Sequence, residues 1–351
     1  MNRILTYILL SLSLMTLSCR KAENPSQDIG YDRDNIYFFM RDVQYGAPSS
    51  KAIIESTETL KNLKLPLRVV DQYAMSTPFD GNIEMVWDDQ SQLWPARNSQ
   101  GNSVAWQGKD YLFYSFLSSA GDGAAVSWEK NVKQADKVTI RQPAAYTHDD
   151  AVWADFLMSY IVPADGSLKP LVEFEMERIT AGVEVYVSTP LDPASATITI
   201  TDISIDGIRN EAEYSLVHHD NANSGLVGIR NNWVTAIKGD EREYSRTGNI
   251  ETKQRTTEEM FDQKFLVMRF VTVPQPVNGK LTIDYTSNGR EYTQTFDLSQ
   301  IPSVRRWERG RKARYYVNID TSVGLEANVA EWISVDYIEG TFLPWLPDDD
   351  E

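Results

Sequence analysis

The stretch Ala196-Thr197-Ile198-Thr199-Ile200-Thr201-Asp202-Ile203-Ser204-Ile205 alternates apolar and polar side chains over most of its length. Successive side chains of a β-strand point to opposite faces, so this pattern predicts a strand buried on one side only. The same period recurs in Val172-Glu173-Phe174-Glu175-Met176 and in Val183-Glu184-Val185-Tyr186-Val187. Working outward, short runs rich in Val, Ile, Tyr, Phe and Thr follow one another, separated by polar, Gly or Pro punctuation. They are Ile36–Met40, Leu67–Tyr73, Ile83–Trp87 and Tyr111–Phe116, then Leu266–Val273, Leu281–Tyr285, Tyr292–Leu298 and Tyr315–Ile319. Only Ser56–Leu63 and Ala151–Tyr160 suggest helix. The expectation is an all-β chain of antiparallel β-sandwiches, and 351 residues make room for two in tandem. The turn-like Pro163-Ala164-Asp165-Gly166 divides them into 35–165 and 166–351.

Composition narrows the function. Fifty acidic side chains against 34 basic ones give a formal charge of −16. That balance argues against a nucleic-acid partner, whose phosphates need basic surface. One cysteine excludes an internal disulfide and any Cys-cluster metal site, and three histidines leave little for metal or triad chemistry. The catalytic templates are missing: there is no G-x-x-x-x-G-K-[ST] loop, no G-x-S-x-G elbow and no H-E-x-x-H pair. His218-His219 on a strand would face opposite ways, His148-Asp149-Asp150 reads as a solvated loop, and Gly225-Leu226-Val227-Gly228 reads as a turn. No catalytic residue, cofactor or metal is expected. The reading is not an enzyme.

The beginning of the chain addresses it to a membrane. Asn2 and Arg3 precede the apolar run Ile4–Leu17, which has the length of a secretory h-region and is short for a membrane span. It stops at Thr16-Leu17-Ser18-Cys19, a bacterial lipobox with Thr16 where Leu is usual. Residues 1–18 are then a signal peptide, and Cys19 is the lipidated new start of the chain. Residues 19–34 form a polar tether.

Nine tryptophans admit two readings. Exposed, Trp87, Trp94, Trp106, Trp307 and Trp332 could stack on sugars and make a surface glycan-binding lipoprotein. Buried, they fill the ends of sandwiches.

The order of segments resembles the fimbrillins, the type V pilins of Bacteroidales, over nearly the whole chain. A lipobox and tether precede a first strand, Asn35–Val43, and Lys51-Ala52-Ile53-Ile54 follows as a basic residue before a β run. Leu112-Phe113-Tyr114-Ser115-Phe116 matches an aromatic strand of the family, and Asp155-Phe156-Leu157-Met158-Ser159 matches its D-x-L-x-A/S element. Val172–Met176 is similar to its v-x-F-x-H strand, with Met176 in place of His. The end of the chain carries most of the likeness: Trp307-Glu308-Arg309-Gly310, Tyr315-Tyr316-Val317-Asn318-Ile319 and Leu325–Trp332 follow the family's W-x-x-G and closing V-x-x-W, with a longer spacing after Gly310.

The resemblance implies two transthyretin-like sandwiches and a subunit or accessory component of a pilus that serves adhesion. It implies a lipoprotein carried to the outer membrane and cell surface, a trypsin-like surface protease that removes the first strand, and other fimbrillin subunits, in a homo- or hetero-polymer, as partners. Ile36, Phe38 and Met40, or the opposite set Tyr37 and Phe39, would plug the groove before processing. The cut is expected after Lys51, behind the exposed turn Gly46-Ala47-Pro48-Ser49-Ser50, with Arg41 as the alternative and an ordinary surface lysine as the competing reading. The donor strand is expected within 333–343, where Ile333, Val335 and Tyr337 alternate with polar residues. A last strand paired within its own domain is the competing account. Stalk, anchor and tip roles stay open.

Overall fold

The computed structural model describes residues 31–40 and, from 60 to 331, all but 63, 75, 80–81, 120–123, 131–134, 148–152, 160, 175, 190–197, 218–232, 255–262 and 320–323. The described chain is all-β. Its first half runs β1 (Tyr37–Met40), β2 (Lys64–Asp71), β3 (Ile83–Val86), β4 (Trp94–Asn98), β5 (Asp110–Ser119), β6 (Ala125–Glu129), β7 (Ala135–Arg141), β8 (Asp155–Ser159), β9 (Val162–Asp165), β10 (Val172–Phe174) and β11 (Met176–Arg178). The second half runs β12 (Ala181–Thr189), β13 (Ile198–Val217), β14 (Trp233–Glu251), β15 (Lys253–Gln254), β16 (Leu266–Thr272), β17 (Gln275–Pro276), β18 (Lys280–Ser287), β19 (Arg290–Asp297), β20 (Arg306–Trp307), β21 (Arg311–Asn318) and β22 (Gly324–Glu331).

The N-terminal sheet has the order β10-β1-β4-β3-β2-β5-β8-β11, with β9 on β5. Its early strands curl until β9 lies beside β10. They enclose a core that includes Ile36, Phe38, Leu65, Met85, Trp94, Phe113 and Phe174. The C-terminal sandwich faces a sheet of β15-β12-β21-β22, with β16 on β12, against one of β19-β18-β13-β7-β6, with β14 on β13. Val183, Val185, Ile203, Ile205, Phe270, Ile283, Tyr315 and Val317 fill the space between the two. These are the inward positions of the alternating runs, as period two requires.

Strand pairing does not follow the division at residue 165, because β6 and β7 join the sheet of β13. A third core forms where they meet the N-terminal sheet. Val70, Leu112, Tyr114 and Phe116 on the outer face of β2 and β5 pack against Val138, Ile140, Ala212 and Tyr214. β2 and β5 are therefore covered on both faces, which explains their near-continuous apolar sequence.

The helix expected over Ala151–Tyr160 is corrected: Asp155–Ser159 is strand β8, paired with β5 and β11. Hydrogen bonds supplied by two neighbours outweigh the local pattern there. Of the Ser56–Leu63 segment the structure describes 60–62, with helical backbone at Leu60 and Lys61.

One turn and one close approach depend on glycine. Asn288 and Gly289 both have positive φ, 52° and 75°, the geometry of a two-residue hairpin turn between β18 and β19. Gly279 lies so close to β13 that a Cβ there would sit 1.9 Å from the Asp206 carbonyl oxygen. Gly279→Ala is expected to destabilise by about 1–3 kcal/mol, as overpacking does. Urea denaturation checks this, and an unchanged midpoint would contradict the close approach.

Candidate functional site

The segment Asp34–Met40 fills a slot between two strands. On one side Phe38, Phe39 and Met40 run parallel to Val172, Glu173 and Phe174 of β10. On the other, Tyr37 and Phe38 run antiparallel to Pro95 and Trp94 of β4. The ladder continues toward residue 34. The Ile36 amide donates to the Val104 carbonyl (2.8 Å), the Ala96 amide to the Ile36 carbonyl (2.9 Å) and the Trp106 amide to the Asp34 carbonyl (2.9 Å). Pro95 removes one N–H from β4. Because the Ala96 N–H points at β1, the missing donor falls on the β3 side, where the ladder stops at Met85–Ala96. The edge that receives β1 is intact.

Burial resolves the face left open by alternation. Ile36 and Phe38 are fully buried and Met40 is 6% exposed, whereas Phe39 is 37% exposed. Phe38 sits between Phe174 (ring centroids 4.8 Å apart) and Phe113 (5.4 Å, edge to face). An ion pair from Lys169 to Asp34 crosses the mouth of the slot, and Tyr31 packs edge-on against Tyr37 at 5.0 Å.

Burying three such side chains contributes about 1.5–3 kcal/mol each. That sum is of the order of the whole stability of an ordinary domain, about 5–15 kcal/mol. An N-terminal sandwich with the slot empty would therefore be marginal. A replacement strand needs apolar side chains at alternate positions and a backbone able to pair with both β4 and β10.

The slot's walls are what the sequence left unmarked. Val172 and Phe174 stood in a recognised strand, but nothing in the sequence named β1 as its neighbour. Trp94, Ala96 and Val104 lie in segments too short or too polar to read. Cys19, Arg41, Lys51, Ile333, Val335 and Tyr337 lie outside the described residues, as do His148, His218 and His219.

Trp332 lies outside the described residues, and of the described tryptophans four go inward while Trp87 and Trp128 are half-buried. Trp94, Trp106, Trp153 and Trp307 are at most 8% exposed, and Trp307 donates through Nε1 to the Tyr315 hydroxyl at 3.0 Å. Trp87 lies on Trp94 with centroids 4.3 Å apart and holds Lys61 over its ring. Trp94, Trp106, Trp153 and Trp307 are therefore core residues. Among the described residues no cluster of three His, Cys, Asp or Glu side chains could hold a metal ion. No described helix is long and apolar enough to cross a membrane.

No protein-family model matches the chain, and no curated protein matches it in sequence. Solved structures do match. A fimbrial protein from Bacteroides vulgatus is 14% identical, with 85% of this chain and 99% of that one covered, at a TM-score of 0.50. A candidate cell adhesion protein from Bacteroides uniformis is 12% identical, with coverage of 86% and 100% and a TM-score of 0.47. A fimbrial assembly protein from Parabacteroides distasonis is 9% identical, with coverage of 84% and 98% and a TM-score of 0.38. At such identities the likeness is one of architecture. In its fold the chain is similar to the Bacteroides vulgatus fimbrial protein.

Proposed function

We propose that the protein is a structural subunit or accessory component of a surface fimbria, joined to other subunits by replacement of β1. The observation that carries this reading is the slot: β1 pairs along both edges and buries Ile36, Phe38 and Met40. Cutting after Lys51, or after Arg41, would free a short segment whose removal exposes apolar pockets and unpaired backbone groups. A trypsin-like surface protease is the fitting partner for either basic residue. The donor is the segment 333–343 of another subunit, in which Ile333, Val335 and Tyr337 repeat the alternate spacing of Ile36, Phe38 and Met40. Acyl chains on Cys19 would hold the precursor at the outer membrane, each buried methylene contributing about 0.8 kcal/mol. The chemistry is assembly, with no catalytic role.

Deleting residues 333–351 tests the donor assignment. Folded, secreted monomers that fail to polymerise are the expected result. Polymers of normal length from the truncated chain would dispose of it.

A further inference from the structure

Two edges of the sheet built on β13 differ in character. β14, on one side, shifts register against β13 three times and carries Lys238, Asp240, Glu241, Arg242 and Glu243. Bulges and charges of this kind keep foreign strands off an edge. β19, on the other side, has little of either defence. Its residues Arg290–Asp297 pair with β18 in unbroken register, include no Pro and no Lys, and carry charge only toward the two ends. Among the described residues only β18 pairs with it.

The hairpin fixes which backbone groups are free. The two-residue turn at Asn288-Gly289 makes Ser287 and Arg290 its closing hydrogen-bonded pair, and the pattern alternates from there. Tyr292, Gln294 and Phe296 therefore turn their N–H and C=O groups to β18, and the Leu298 amide continues the series by donating to the Gly279 carbonyl at 3.0 Å. Glu291, Thr293, Thr295 and Asp297 turn theirs away from β18. The side chains share this period. Phe296 packs on the C-terminal core, and Tyr292 stacks on Tyr285 with ring centroids 5.4 Å apart while 42% of it stays exposed.

We propose that β19 is a docking edge for a second copy of this chain, paired antiparallel about a two-fold axis at Gln294. An axis normal to the sheet keeps both core faces on the same side, so outward groups meet outward groups. With the axis at Gln294, Glu291 pairs with the second copy's Asp297 and Thr293 with its Thr295. Each pair exchanges two hydrogen bonds, and every outward group of both strands is satisfied. Tyr292 then comes opposite the second copy's Phe296, an aromatic pair that covers the exposed ring. An axis at Thr293 loses that pair, setting Tyr292 against Gln294, and leaves Asp297 without a strand partner. One element of the chosen register is unfavourable: Glu291 and Asp297 are like charges directly opposite. The contact is short, so it belongs to the weak class of interfaces. Each copy has one β19, so the pairing closes at a dimer. It does not draw on the slot or on the function proposed above.

Sedimentation equilibrium of the full chain in mild detergent, over a range of protein concentrations, tests the pairing. The expected result is a monomer–dimer equilibrium that tightens as added salt screens Glu291 from Asp297. Glu291→Lys sets opposite charges in both end pairs and should tighten the dimer about tenfold. Thr293→Pro should abolish it, because the N–H it removes points away from β18 and proline is tolerated on such an edge. Circular dichroism checks that this variant stays folded; if it does not, Glu291→Lys decides alone. A parent chain that stays monomeric at every concentration overturns the proposal. So does a dimer that a folded Thr293→Pro chain still forms, or one that Glu291→Lys fails to tighten.

Discussion

Phe38→Ala should cost the N-terminal sandwich about 3–5 kcal/mol, as truncation of a fully buried phenylalanine does. The ring is enclosed by Phe113 and Phe174 and lies opposite Trp94 in the ladder, so little can collapse into the space it leaves. Its neighbour supplies the control. Phe39 is 37% exposed, and Phe39→Ala should fall within about 0.5 kcal/mol of the parent. Chemical denaturation of both variants gives the comparison. Equal losses would mean that β1 does not hold the register described here, because a slip of one residue exchanges the two faces.

The second large effect concerns the joint between the sandwiches. Asp136 of β7 is fully buried and accepts from Arg68 Nε of β2 (3.0 Å) and the Tyr114 hydroxyl of β5 (2.5 Å). Burial, with the Asp136 charge, pushes the Tyr114 hydroxyl well above its ordinary value, so it stays a donor across the physiological range. Asp136→Ala would leave the Arg68 guanidinium buried without its counter-ion, at a cost of about 3–5 kcal/mol. Arg68→Met combined with Asp136→Ala should recover most of the loss, since a well-packed apolar replacement of a buried pair is often neutral. Urea midpoints for the single and double variants decide it. A double variant as unstable as Asp136→Ala alone would show that the cost lies in packing rather than charge.

What the sequence discloses here is set by burial. Strands with one dry face announced themselves by alternation, as at Leu281–Tyr285, and those buried on both faces appeared as apolar runs, as at Tyr111–Phe116. β14 gave no such signal although it spans 19 residues. Among the described residues it pairs only with β13, and most of its described side chains, among them Lys238, Asp240, Glu241 and Glu243, face solvent. Val172–Met176 read as one strand, yet its two halves serve different neighbours: β10 pairs with β1 and β11 with β8. Pairing across long sequence separations leaves no local trace, and for that reason the walls of the slot stayed hidden while its occupant, Ile36–Met40, stood out.

Replacement of β1 is the central claim, and N-terminal sequencing of subunits taken from surface filaments tests it most directly. The account predicts a start at Ala52, or at Asp42 if Arg41 is the cut, with Ile36, Phe38 and Met40 gone from the assembled chain. Filament subunits that begin at Cys19 and keep those residues would contradict it.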